Sequence, residues 1–123
     1  MIKNISTLPD KSTLPPDSEE LSIKNLYVLT RSDLNLPYRA VQGAHAVAQF
    51  LIDYPNTDWN NNYLIFLQVN NKEALDYWIW RIDKNIPDEP SSVFREPDLN
   101  NELTAIAVYT NSKMFNKLEL MNN

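Results

Sequence analysis

Tyr38, Gln42, His45 and Gln49 follow one another at intervals of four, three and four residues, so on a helix they share one face. A carboxamide that donates and accepts, an imidazole that titrates near neutrality and a phenol together form a seam able to read a polar ligand. Gly43, the chain's sole glycine, lies within the seam, and His45 is its sole histidine. Glycine inside a helix costs about 1 kcal/mol relative to alanine, so something must approach the backbone closely there. That something is either a ring or phosphate of a ligand, or a packed neighbour that needs the room. The plainer reading of His45 is a satisfied core side chain.

A second set of chemical groups lies later in the chain. Glu96, Asp98 and Glu102 supply carboxylates that can activate water or accept from a base or ribose hydroxyl. Arg31, Arg39 and Arg95 are suited to bidentate phosphate recognition, and equally to surface ion pairs.

Composition narrows what these groups can do. There is no cysteine and a single histidine, which removes disulfides, thiolate sites and multi-histidine metal sites, so no metal is expected. A formal charge of −5 disfavours grip on a nucleic-acid duplex, which rewards a basic face. No apolar run approaches the roughly 20 residues needed to span a bilayer, and no signal peptide is evident, so a cytoplasmic protein without membrane partners is expected.

The elements that must position the seam follow from periodicity. Residues 1–24 carry two near-copies of Ser-Thr-Leu-Pro and no periodic face, and read as a flexible tail or an arm that docks through Leu8 and Leu14. Residues 25–123 read as one domain. Leu26–Thr30 fits a buried strand, followed by the turn Arg31–Pro37 and a helix running to Tyr54-Pro55, with Val41, Ala44, His45, Ala48, Leu51 and Ile52 as its apolar stripe. Tyr63–Val69 fits a fully buried second strand. Asn70 with Glu73 resembles a capping box opening a second helix whose core face is Leu75, Trp78, Ile79 and Ile82, leaving Trp80 off the stripe. Ser92–Glu96 and Leu103–Tyr109 read as two further strands, and Ser112 can cap a short last helix carrying Met114, Phe115 and Leu118. This order predicts a single-domain three-layer α/β/α fold with a mixed four-stranded sheet, its ligand site at the end of the first strand.

The succession of Arg31-Ser-Asp33-Leu, the helix segment Ala40-Val-Gln-Gly-Ala-His-Ala46, then Phe94-Arg-Glu-Pro-Asp98 and a last strand at Thr104 resembles the class 2 peptidyl-tRNA hydrolase family over roughly residues 25–110. The resemblance implies a peptidyl-tRNA hydrolase 2-like fold, frequent dimerisation and a cofactor-free ester hydrolase acting at the tRNA 3′ end. Gln42, His45 and Thr104 match the family's pattern. Tyr38 stands where the family carries a lysine, and Glu96-Pro97-Asp98 replaces its Asp-Ala-Gly loop. Without that cation the developing oxyanion loses a donor, typically about 10²–10³ in rate.

These readings converge on a small, non-catalytic nucleotide-binding protein that binds or sequesters a nucleotide or cyclic nucleotide. Arg31, Asp33, Tyr38, Arg39, Gln42, Gly43, His45, Arg95 and Asp98 are its expected ligand-binding residues. The alternative is an active peptidyl-tRNA hydrolase using His45, Asp98, Glu96 and Thr104. A second alternative is a protein-interaction module built on Trp80 and Tyr77. A homo-oligomer with ligands near the interface is expected, because small pockets in short domains are often completed by a second subunit.

Overall fold

Along Asn25–Arg31 (β1) successive side chains point to opposite faces, and here both faces are covered: Leu26 and Val28 are buried in one cluster, Tyr27 and Leu29 in another. The computed structural model describes residues 23–122, so nearly all of the expected tail lies outside the described residues. The sheet also contains Leu64–Val69 (β2), Ser91–Glu96 (β3), Glu102–Thr110 (β4) and Glu119–Leu120 (β5), in the order β3-β4-β1-β2-β5. β1 and β2 are parallel, as the crossover helix between them requires, while β4 runs antiparallel to β1 and β3, and β5 antiparallel to β2.

Leu36–Asp53 (α1) packs through Ala46 and Phe50 on the face holding Leu26, Val28, Ala105 and Ala107. Lys72–Asn85 (α2) packs through Leu75, Trp78 and Ile82 on the other face, against Leu29, Leu67, Ile106 and Val108. The result is a mixed α/β domain with a helix on each side of the sheet. Among the described residues no helix is long and apolar enough to cross a membrane.

Several expectations need correction. The sheet has five strands rather than four, because the segment expected as a last helix forms turns and then the short β5. Phe115 is nonetheless buried, tilted against Tyr27 and Trp78, so its apolar character served packing without a helix. β2 is not fully buried: β5 pairs with it only at Leu67 and Gln68, leaving Leu64 exposed. The cap of α2 is Asn71, whose side chain accepts from the Ala74 amide at 2.9 Å, one residue later than expected.

The largest correction concerns the rotation of α1. Its buried residues are Arg39, Gln42, Gly43, Ala46 and Phe50, whereas Val41 (51%), Leu51 (43%) and Ile52 (71%) of the expected apolar stripe are exposed, with Ala44, His45 and Ala48 beside them. Two polar side chains win the buried positions because their hydrogen bonds are met inside the protein, which removes the usual cost of burial. A Cβ on Gly43 would come 2.4 Å from Cε2 of Phe66, so the missing side chain is what lets α1 settle on β2.

Candidate functional site

The Pro97–Leu99 3₁₀ turn and two left-handed asparagines, Asn100 (φ 53°) and Asn101 (φ 61°), reverse the chain between β3 and β4. Asparagine tolerates this conformation better than most residues. The Asn101 amide donates to the Glu96 carbonyl at 2.9 Å, closing the turn and setting the last residue of β3 beside the start of β4. Above this junction lies the first half of α1.

Three side chains from these elements form a chain of hydrogen bonds. Gln42 Nε2 donates to Glu96 Oε1 at 2.8 Å, and Thr104 Oγ1 donates to Gln42 Oε1 at 2.6 Å. Gln42 and Thr104 are fully buried and Glu96 nearly so. Glu96 Oε2 also accepts from the Asp98 amide at 3.2 Å. The Gln42 amide first, and then the Asp98 N–H, hold the Glu96 carboxyl below the usual carboxylate range; burial opposes them and the nearby His45 assists.

His45 lies on the rim of this network. It is exposed and its imidazole stacks on Phe94 with centroids 4.4 Å apart and planes 11° from parallel. Tyr38, partly buried, has its phenol pushed up by desolvation and then by the charges of Glu96 and Asp98, so it stays a protonated donor. Asp98 is exposed. Tyr38, Gln42, His45, Glu96, Asp98 and Thr104 are thus brought to one end of the sheet.

Two of the three arginines expected to hold phosphate, Arg31 and Arg39, are otherwise engaged. Arg31 donates to both oxygens of Asp33, from Nε at 3.0 Å and from Nη2 at 2.8 Å, and from Nη1 to Glu102 at 2.8 Å and the Leu103 carbonyl at 3.0 Å. These bonds raise the Arg31 pKa and lower that of Asp33, and both residues serve the fold. Arg39 is buried and satisfies the carbonyls of Ser32, Leu34 and Asn122 together with Gln68 Oε1, leaving no N–H for a ligand. Gly43 faces Phe66 rather than a ligand. Arg31, Asp33, Arg39 and Gly43 therefore hold the scaffold around the site. Arg95 differs: it is exposed, lies beside Glu96 in β3 and makes no ion pair among the described residues.

Phe94 escaped sequence reasoning as a site residue. Only the pairing of β3 beside α1 brings it under His45, and nothing local marks it. Among the described residues no group of three or more His, Asp or Glu could hold a metal ion.

No family model matches the chain, and no curated protein matches it. Among solved structures the chain is similar to a protein of unknown function, Atu0240, from Agrobacterium tumefaciens strain C58. The TM-score is 0.60 at 12% identity, covering 80% of this chain and 98% of that one. At that identity the likeness concerns the fold alone.

Proposed function

We propose that this chain is a peptidyl-tRNA hydrolase 2-like domain that binds a small nucleotide or cyclic nucleotide without cleaving it, acting as a sponge for that ligand in the cytoplasm. The single observation that carries the reading is the Gln42–Glu96–Thr104 network, which fixes an ionised carboxylate beside an exposed aromatic stack. Such a carboxylate accepts from a base amino group or ribose hydroxyl, and the His45–Phe94 pair offers a π face for a base. Tyr38 adds a phenolic donor and Asp98 a further acceptor. Arg95 is the cation left for phosphate.

The family likeness rests on the arrangement of β3-β4-β1-β2 with a helix on each face, and on the bond between the helix glutamine and the threonine near the start of β4. Absence of turnover rests on the cations. Ester cleavage is helped by a cationic donor at the developing oxyanion; Arg39 has every N–H engaged and Arg31 is held by Asp33 and Glu102, which leaves the uncharged phenol of Tyr38 where the family carries a lysine. Thermal shift and calorimetry with a broad nucleotide panel test this, alongside peptide release from peptidyl-tRNA. Binding with no release supports the sponge; release that is lost in His45→Ala and Glu96→Gln would reassign the same groups to hydrolysis.

A second reading has one observation behind it. Trp80 is 55% exposed and rests against Tyr77 at 6.1 Å between centroids, with Lys84 Nζ 4.9 Å from its ring. Exposed Trp and Tyr commonly anchor interfaces, so α2 is the surface on which a protein partner or a second copy would be sought.

A further inference from the structure

At the opposite end of the sheet from Glu96, where β1 begins and α1 and β4 finish, a pocket of about 480 Å³ opens between Lys24, Asp53, Tyr54, Asp58, Pro90 and Tyr109. That volume is within the range of small-molecule sites. Its walls are held in place. The Tyr54 hydroxyl donates to the Ser91 carbonyl at 3.0 Å and accepts from the Ser91 amide at 3.2 Å. Asp53 accepts from Ser92 Oγ at 2.6 Å and from Gln49 Nε2 at 2.9 Å. Tyr109 is nearly buried, and its phenol is pushed up by desolvation, then by the charge of Asp58 and by donating to that carboxylate.

The charges around this pocket do not balance. Lys24 is its one lining cation; its Nζ lies 5.3 Å from the Tyr109 ring centroid and 3.3 Å from Glu89 Oε2. Asp53 and Asp58 have no cationic partner among the described residues. An ammonium group is therefore already stabilised against a tyrosine face here, within the roughly 6 Å over which the ring quadrupole acts, while two carboxylates stay unmatched.

The geometry points to a second ligand site, distinct from the nucleotide site and independent of it, for a small alkylammonium ligand of the polyamine class. One ammonium lies against the tyrosine rings and the Asp53 and Asp58 carboxylates neutralise the charge, with the polymethylene body on Pro90 and Tyr54. Lys24, carrying the same chemistry at the same ring, competes with the ligand from within the chain. That competition and the loss of one positive charge act in the same direction: replacing Lys24 leaves space and an uncompensated tyrosine face, and binding tightens.

Calorimetric titration of the full chain with spermidine at low salt, joined to backbone amide NMR, tests the site. The expected result is saturable binding with shifts confined to residues 53–58, Lys24, Pro90's neighbours and Tyr109. Asp58→Asn weakens it about 10-fold or more, as loss of one paired charge worth about 1.4 kcal/mol does, and Lys24→Gln tightens it several-fold. Absence of saturation well above about 1 mM, shifts spread over the acidic surface, or weaker binding in Lys24→Gln overturns the assignment. Should Asp58→Asn fail to fold, Asp53→Asn, at an exposed position, takes its place, and confinement of the amide shifts to the pocket residues decides.

Discussion

Gln42 and Glu96, 54 residues apart in sequence, meet through a 2.8 Å hydrogen bond at the sheet end where α1 starts and β3 stops. The amide proton goes to the carboxylate and the amide oxygen takes the Thr104 hydroxyl, so each group in the chain has one role and cannot reverse it. The bond also fixes the charge state of the site, because it holds the Glu96 carboxyl ionised.

That depression has a consequence for stability. A carboxyl whose pKa is lower folded than unfolded contributes stability above its unfolded value and loses it as pH falls through the folded value. For Glu96 the unfolded value is near 4.5, so the contribution is complete at neutral pH and fades below that point. Asp33, lowered chiefly by its hydrogen bonds from Arg31, behaves alike from near 3.8 downward. Melting temperatures measured between neutrality and pH 3 should fall less steeply below pH 4.5 in Glu96→Gln than in the parent; equal slopes would remove the claim.

Gly43→Ala should destabilise by up to about 2 kcal/mol, an overpacking cost of about 1–3 kcal/mol offset by about 1 kcal/mol of helix propensity. The added Cβ meets the partly buried Phe66 ring at 2.4 Å, so either the ring turns aside or the helix lifts off β2. Adding Phe66→Leu should recover part of the loss. Chemical denaturation of the single and double variants reads this directly, and a tolerated Gly43→Ala would show that α1 does not need close approach.

The arginines divide by function in a measurable way. Arg39→Met leaves the partly buried carbonyls of Ser32 and Leu34 without their side-chain donor and frees Asn122, and should cost about 1–3 kcal/mol. Arg95→Ala removes an exposed side chain without an ion pair among the described residues and should leave stability within about 0.5 kcal/mol. It should instead weaken nucleotide binding and flatten its salt dependence. Unchanged affinity in Arg95→Ala would mean that phosphate is not read there.

His45→Ala should lower stability only by the worth of one exposed aromatic pair, about 0.5–1.5 kcal/mol, while removing most of the affinity for a base. Replacement by Phe, which keeps the stack on Phe94 but not the ring nitrogens, separates stacking from hydrogen bonding. Affinity retained in His45→Phe assigns the residue to stacking alone.

Much of the layout was legible in the chain. Alternation and turn residues located β1, β3 and β4 to within a residue or so, and the apolar spacing of α2 named Leu75, Trp78 and Ile82 correctly. The rotation of α1 was not legible, because periodicity counts apolar side chains and the buried face of this helix carries Arg39 and Gln42. Their partners are backbone carbonyls and side chains brought from distant residues, and no local pattern announces them. For the same reason Arg31 and Arg39 looked available for phosphate when both were committed within the fold. The pocket at Tyr109 left no sequence signal, since its lining comes from the ends of separate elements.

The most direct measurement is mass spectrometry of the supernatant released when the purified protein is heated, followed by calorimetry of the recovered compound on the parent and on Glu96→Gln. The account expects an intact nucleotide or cyclic nucleotide that rebinds the parent near one per site and at least about 10-fold more weakly when the carboxylate is neutralised, a loss of about 1.4 kcal/mol. No released nucleotide, no thermal shift across a broad panel, and equal behaviour of parent and Glu96→Gln would contradict it.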